Sequence, residues 1–262
     1  MKLEFYKYHG TGNDFILIDN RLNEYALTTA QITFLCDRHR GIGADGLMLF
    51  NINQGYDFGM RYFNSDGNES TMCGNGGRCM TALAMNLGIG SQRMRFHAID
   101  GEHEAFILWK KGNDAMVRLK MNDTKIDRQY PDGIFLNTGS PHFVHPTTGV
   151  EIKDVLSDGR SLRYDPRFAS GGTNVDFVEQ HTDSLYVRSY ERGVESETLS
   201  CGTGVTAAAL ATAFLNPDNP GMYHIKTPGG LLQVTFKQSG SFFSEIWLQG
   251  PATFVFASSI EI

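Results

Sequence analysis

The chain has 262 residues, 41% of them hydrophobic and 20% charged, which is enough to bury a core and excludes a disordered or fibrous class. Its 23 Lys and Arg against 29 Asp and Glu give a formal net charge of −6, which leaves no electrostatic footprint for a phosphate backbone and argues against nucleic acid as a partner. Residues 1–19 lack the basic start and apolar run of a signal peptide, and no stretch approaches the ~18–20 apolar residues of a membrane span, so no membrane partner and a cytoplasmic location are expected.

In chain order, residues 2–19 read as a strand, the turn Gly10-Thr11-Gly12-Asn13-Asp14, and a second apolar strand. Thr28 or Thr29 caps a helix through Ile32 and Leu35 to about His39. Gly41-Ile42-Gly43-Ala44-Asp45-Gly46 matches the dinucleotide GxGxxG pattern, but a helix precedes it and a strand, 47–50, follows it. That reverses the order a phosphate-binding helix N-terminus requires, so it reads as a glycine-rich connection. A strand at 58–63 leads to a helix over 78–87 that is apolar almost all round, hence buried, and Gly88 stops it. Strands at 94–98 and 104–109, hinged at Asp100-Gly101, and a last one at 117–121 complete a first half.

The second half repeats the plan. Strands at 135–137 and 143–145 flank the turn Thr138-Gly139-Ser140-Pro141-His142, 154–167 is a charged surface helix followed by loop, and strands follow at 175–179 and 185–190. The alanine-rich stretch 205–215 reads as another buried helix, stopped at Asn216-Pro217. The Pro228-Gly229-Gly230 turn and strands at 245–249 and 252–257 close the chain. Each half is mostly β with one buried helix.

Two stretches tie the halves together. Residues 62–76 and 190–204 align without a gap at an offset of 128 (73 to 201), which matches Tyr62 to Tyr190, Glu69 to Glu197, Cys73 to Cys201 and the glycines of both Cys-Gly-x-Gly turns. The same offset puts Gly101 on Gly229. Each repeated cysteine begins a helix, where the positive end of the macrodipole favours thiolate. The N–H groups of Gly74-Asn75-Gly76 and Gly202-Thr203-Gly204 lack intrahelical partners, and glycine lets an anion approach them. Two such termini brought together would hold one carboxylate between two thiols. That arrangement suits inversion at the Cα of an amino acid, with a thiolate base on one face, a thiol acid on the other, and the N–H groups stabilising the carbanion without metal or organic cofactor. Cys36 and Cys79 have no such partner and read as structural thiols. A zinc site from Cys36, His39, Cys73 and Cys79 lacks paired CxxC spacing.

The sequence resembles the diaminopimelate epimerases over nearly its whole length. The resemblance rests on His9-Gly10-Thr11-Gly12-Asn13-Asp14-Phe15, Phe63-Asn64-Ser65-Asp66-Gly67, Cys73-Gly74-Asn75-Gly76-Gly77-Arg78-Cys79, Tyr190-Glu191-Arg192-Gly193, Ser200-Cys201-Gly202-Thr203-Gly204 and Pro228-Gly229-Gly230. It implies an α+β fold of two pseudo-symmetric domains, each a mostly antiparallel barrel-like sheet wrapped around a central buried helix. The domains would be 1–120 with about 250–262, and 121–249. It further implies cofactor-independent interconversion of LL- and meso-2,6-diaminopimelate in lysine and peptidoglycan precursor synthesis, a site in the cleft, no metal, and a homodimer.

Carried over by position, Cys73 and Cys201 are base and acid, and the backbone at Gly74, Asn75, Gly202 and Thr203 holds the reacting carboxylate. Arg192 with Asn64 and Asn174 binds the distal carboxylate, Asn13 and Glu191 face ammonium groups, and His142 with Glu191 tunes the thiols. Two positions depart from a common form of the family: Ser140 stands where many members have Asn, and Gly46 where many have Gln. A proline racemase-like enzyme shares the two-cysteine logic, but its first motif typically reads Cys-Gly-His-Gly rather than Cys-Gly-Asn-Gly. A non-catalytic amino-acid binding protein on the same fold would bind without exchanging the Cα proton.

Overall fold

The structure is a computed structural model that describes residues 2–168, 171–216, 218 and 221–262. The chain divides into two compact units, Met1–Leu119 with Gly250–Ile262, and Lys120–Gln249.

The first unit runs β1 (Lys2–Gly10), β2 (Asn13–Asp19), α1 (Thr29–Cys36), β3 (Gly46–Asn51), β4 (Phe58–Asn64), β5 (Glu69–Ser70), α2 (Gly74–Asn86), β6 (Arg93–Ala98), β7 (Gly101–Lys111) and β8 (Asp114–Lys120). Its pairings close on themselves. The ring goes β1-β2-β3-β4-β6-β7-β8, then residues 250–261, then back to β1, so each strand of the ring is paired on both sides. Inside lies α2, whose residues from Gly74 to Ala84 are all buried. Outside β3 lies α1. With a helix on each face, β3 is buried on both and reads as the unbroken apolar run Leu47-Met48-Leu49-Phe50 rather than an alternation.

The second unit runs β9 (Thr124–Tyr130), β10 (Gly133–Asn137), β11 (Pro141–Pro146), α3 (Val155–Arg163), β12 (Asn174–Gln180), β13 (Ser184–Glu191), β14 (Ser196–Thr198), α4 (Gly202–Leu215), β15 (Met222–Thr227), β16 (Gly230–Ser239) and β17 (Phe242–Glu261). The ring β9-β10-β11-β12-β13-β15-β16-β17-β9 closes in the same way around α4, while α3 packs outside against β12 and β13. Residues 242–249 of β17 serve this unit, and the remainder of that strand closes the first.

Several expected boundaries shift for identifiable reasons. Helix α1 ends at Cys36, short of His39, because the Asp37 backbone is extended. Helix α2 begins at Gly74, four residues before the glycine-poor stretch expected from propensity. Three helical glycines cost about 1 kcal/mol each. Neighbouring side chains fill the space beside two of them: a β-carbon at Gly76 would overlap Met48 Cε, and one at Gly77 would press on Met72, Phe96 and Leu119 at 3.2 to 3.5 Å. The strands expected at 245–249 and 252–257 are one strand, which tolerates Pro251 and uses its carbonyl to accept from Arg78 Nε at 3.3 Å. β9 was not expected at all. Helix α4 ends with Asn216 as its C-cap, and Pro217 lies outside the described residues.

The gapless repeat is corrected by strand register. Tyr62 pairs with Met48 and Ser70, and the residue in the same place of the second unit, paired with Asp176 and Thr198, is Ser189. The offset is therefore 127 in β4 and β13 (62 to 189) and 128 at the cysteines. It becomes 129 in the next hairpin, where Gly101 at φ 118° matches Gly230 at φ 143°, not Gly229. Phe63 thus corresponds to Tyr190 and Asn64 to Glu191. A second helpful match follows from the same registers: His142, Asp176 and Ser189 stand where the first unit has Phe15, Met48 and Tyr62.

Candidate active site

Each buried helix starts at a cysteine. Cys73 and Cys201 are the N-cap residues of α2 and α4, both extended, at φ −89°, ψ 126° and φ −109°, ψ 115°. All four cysteines are thiols outside any disulfide.

In the first unit, the tight β1–β2 turn delivers Asn13 to the start of α2. Thr11 and Gly12, at φ 51° and 83°, make that turn. Cys73 Sγ donates to Asn13 Oδ1 at 3.7 Å, and Asn75 Nδ2 donates to the same oxygen at 3.2 Å. Asn13 is held from behind, because its Nδ2 donates to Asp45 Oδ2 at 2.6 Å. Arg38 joins Asp45 to Asp14 at 2.7 and 2.6 Å, and Lys7 reaches Asp14 at 2.7 Å. Burial alone would raise the Asp14 carboxyl, but its bonds to Arg38 and Lys7 outweigh it and hold the group at about 2. Asp45, the fifth residue of the GxGxxG-like stretch, therefore acts as a support for Asn13, and no helix follows it.

Arg78, fully buried one turn along α2, donates from Nη2 to Asn75 Oδ1 at 3.0 Å and to Thr11 Oγ1 at 3.3 Å. Its Nη1 has no hydrogen-bond partner among the described residues, and burial lowers its pKa to about 10. Gly46 explains one of the family departures. A β-carbon there would stand 2.6 Å from Tyr62 Cε2 and 3.1 Å from its hydroxyl, so the tyrosine ring fills the space a side chain at 46 would need. Asn64, at the exposed end of β4, contributes its backbone to the following turn.

The second unit surrounds its cysteine with titratable groups. Cys201 Sγ accepts from Gly204 N at 3.4 Å and lies 3.4 Å from Thr203 Oγ1. Thr203 Oγ1 is 2.9 Å from His142 Nε2, and His142 Nδ1 is 2.7 Å from Asp176 Oδ2. Ser189 donates to Asp176 Oδ1 at 2.6 Å. His142 and Asp176 are completely buried. Glu191 accepts from the Thr198 hydroxyl and is bonded to Cys201; burial pushes its carboxyl up. Burial likewise pushes the Cys201 thiol well above its ordinary value, and the neighbouring Glu191 and Asp176 charges push the same way.

The turn before β11 is fixed on α4 by Thr138, whose hydroxyl donates to Thr203 O at 2.9 Å. Asn174 is buried, and its Nδ2 donates to Ser140 Oγ and to Pro141 O, each at 2.8 Å. Its Oδ1 accepts from Arg192 N at 2.8 Å. Ser140 thus accepts the amide bond that holds its turn. The Arg192 guanidinium is exposed and has no side-chain partner among the described residues.

Cys36 and Cys79 are buried, and burial pushes each thiol up to about 12, consistent with inert structural roles. Cys201 differs from them in its neighbours rather than its burial. Sequence reasoning missed Asp45, Asp176, Ser189, Thr198 and the burial of Arg78. Asp176 and Ser189 are polar residues within strands, and both are buried where α4 packs on them at Gly204.

Two closed barrels, each wrapped around a buried helix, define a fold that several solved structures share. A Bacillus anthracis phenazine biosynthesis protein of the PhzF family superposes with TM-score 0.76 at 14% identity over 100% of both chains. A hydroxyproline epimerase from Agrobacterium vitis gives TM-score 0.74 at 14% identity over 99% of this chain and 92% of that one. The family follows from sequence. The chain belongs to the diaminopimelate epimerase family, whose model matches residues 5–125 and 134–255. It is 47% identical to the diaminopimelate epimerase of Flavobacterium psychrophilum over 98% of this chain and 100% of that protein. It is 37% identical to that of Aquifex aeolicus over 97% and 96%. The protein is accordingly an isomerase.

Proposed function

We propose that this isomerase interconverts LL- and meso-2,6-diaminopimelate without a cofactor, in lysine and peptidoglycan precursor synthesis. Cys73 and Cys201 take opposite parts, one as thiolate removing the Cα proton and the other as thiol returning one to the other face. The observation that carries this reading is that both repeated cysteines cap largely buried helices whose next residues offer backbone N–H groups. Those groups, at Gly74, Asn75, Gly202 and Thr203, hold the reacting carboxylate and stabilise the charge that develops beside it.

The surroundings of the two thiols differ. Cys201, with Glu191 and Asp176 beside it, rests as a thiol, and Cys73 donates its own proton to the amide oxygen of Asn13. Arg192, with its guanidinium uncommitted, takes the distal carboxylate together with Asn64. Asn174 acts on the same group by fixing the Arg192 backbone. Asn13 and Glu191 face the ammonium groups, and His142 with Glu191 tunes Cys201. The homodimer that the family resemblance implies and the cytoplasmic location expected from the sequence belong to this reading. No helix among the described residues is long and apolar enough to cross a membrane.

The test is to incubate reduced protein in D₂O with LL-diaminopimelate and, separately, L-proline, following epimer ratio and Cα deuteration. Epimerisation and deuteration of diaminopimelate alone are expected. Exchange with proline only would give the protein to the racemase class, and binding without exchange would make it a binding protein.

A further inference from the structure

The His142, Asp176 and Ser189 chain behind Cys201 has no counterpart at the matching strand positions of the first unit. At the places of His142, Asp176 and Ser189 the first unit has Phe15, Met48 and Tyr62, and that barrel closes equally well. The fold therefore does not require a buried imidazole and carboxylate here, and burying such a pair is costly unless every lone pair and proton is satisfied. Here they are. Asp176 Oδ2 faces His142 Nδ1 at 2.7 Å, and Oδ1 accepts from Ser189 at 2.6 Å. Even the helix has been cleared for the carboxylate: a β-carbon at Gly204 would overlap Asp176 Oδ1, which lies against the first turn of α4.

The partners decide where the imidazole proton sits. A carboxylate can only accept, so Nδ1 carries the hydrogen and Nε2 is left as an acceptor. At 2.9 Å from Nε2, the Thr203 hydroxyl then donates to it, and its own oxygen faces Cys201 Sγ at 3.4 Å. Asn174 Nδ2 lies 3.5 Å from Nε2, but its two hydrogens are given to Ser140 Oγ and Pro141 O, which leaves the Thr203 hydroxyl as the donor to this nitrogen; Glu191 also lies beside Cys201.

We propose that Asp176, held by Ser189, is a positioning residue that fixes the His142 proton on Nδ1 and so makes Nε2 the end of a proton relay from Cys201 through Thr203. In the forward step the Cys201 thiol proton passes to Thr203 Oγ1 as the Thr203 proton passes to His142 Nε2. This leaves a thiolate and an imidazolium whose two N–H groups point at Thr203 and Asp176. The reverse step restores the thiol. The relay lets a thiol buried away from water change between its acid and base forms with the proton kept inside the unit. It rests on the two-cysteine reading for its use, but not for its existence.

The full-length protein labelled with ¹⁵N-histidine tests it directly by NMR. In the native chain His142 is expected as the Nδ1–H tautomer; the Nε2–H tautomer would overturn the proposal whether or not the protein epimerises anything. Asp176→Asn and Asp176→Ala are expected to lose this tautomer preference and to lower kcat/KM by tenfold or more in both directions, with Ser189→Ala losing severalfold. A folded Asp176 variant with unchanged tautomer and turnover would equally overturn it. A correct native tautomer in a protein that leaves diaminopimelate untouched would instead count against the proposed substrate and leave the relay standing.

Discussion

Asn13 donates its side-chain amide to Asp45 Oδ2 across 2.6 Å, and that bond decides which end of Asn13 faces Cys73. With Nδ2 committed to a carboxylate, Oδ1 is turned towards the thiol and the Asn75 amide. Asp45→Ala removes the charged acceptor that holds Nδ2 and leaves the amide oriented by the weaker Asn75 bond to Oδ1. A hydrogen bond to a charged group contributes about 1.5–3 kcal/mol, so kcat/KM is expected to fall about tenfold to a hundredfold. Steady-state kinetics, with the melting temperature as a control for folding, measures it.

The Asp14 carboxyl gives the first unit a defined response to acid. Its folded pKa, about 2, is depressed below the ordinary carboxylate value, so its contribution is present above that ordinary value and is lost as pH falls towards 2. Arg38, one of its two partners, is half exposed, which discounts the contribution to about 1–2 kcal/mol at neutral pH. Asp14→Asn should therefore lower unfolding stability by that amount at pH 7 and by almost nothing at pH 2. Denaturant titrations at the two pH values check the difference.

Gly76 and Gly204 occupy the same place in their helices but meet different neighbours. A β-carbon at Gly76 meets the terminal methyl of flexible Met48, whereas one at Gly204 meets the Asp176 carboxylate, which is held by His142 and Ser189. Alanine gains about 1 kcal/mol over glycine in a helix interior. Gly76→Ala is expected near neutral and Gly204→Ala to destabilise by about 1–3 kcal/mol. Paired thermal melts decide this, and equal effects would contradict it.

Arg192 has an exposed guanidinium with its backbone pinned by Asn174. If it grips the distal carboxylate in a bidentate manner, Arg192→Lys should raise KM for diaminopimelate about tenfold with a smaller change in kcat. Binding of diaminopimelate measured calorimetrically should weaken in parallel.

What the sequence made legible and what it hid follow different physics. The two buried helices were readable because small apolar residues surround them on every side, and the duplicated cysteines marked their starts. Propensity alone starts α2 at 78, because three glycines oppose a helix over 74–77, and the cysteine repeat supplies the earlier start. β9 escaped notice because most of its side chains are at least partly exposed and carry little apolar alternation. The single-residue slips between the copies, which move Asn64 onto Glu191, sit in turns and between helix and strand, where no periodic pattern records register. Of the candidate site, Cys73, Cys201, Asn13, His142 and Glu191 are legible from motifs. Asp176 and Asp45 are not, since their roles depend on long-range contacts.

The most direct test of the central claim is Cα deuterium incorporation into diaminopimelate in D₂O by Cys73→Ala and Cys201→Ala, each verified as folded. The two-thiol account predicts that either variant loses epimerisation by several orders of magnitude. Near-native interconversion of the LL and meso forms by either one would contradict it.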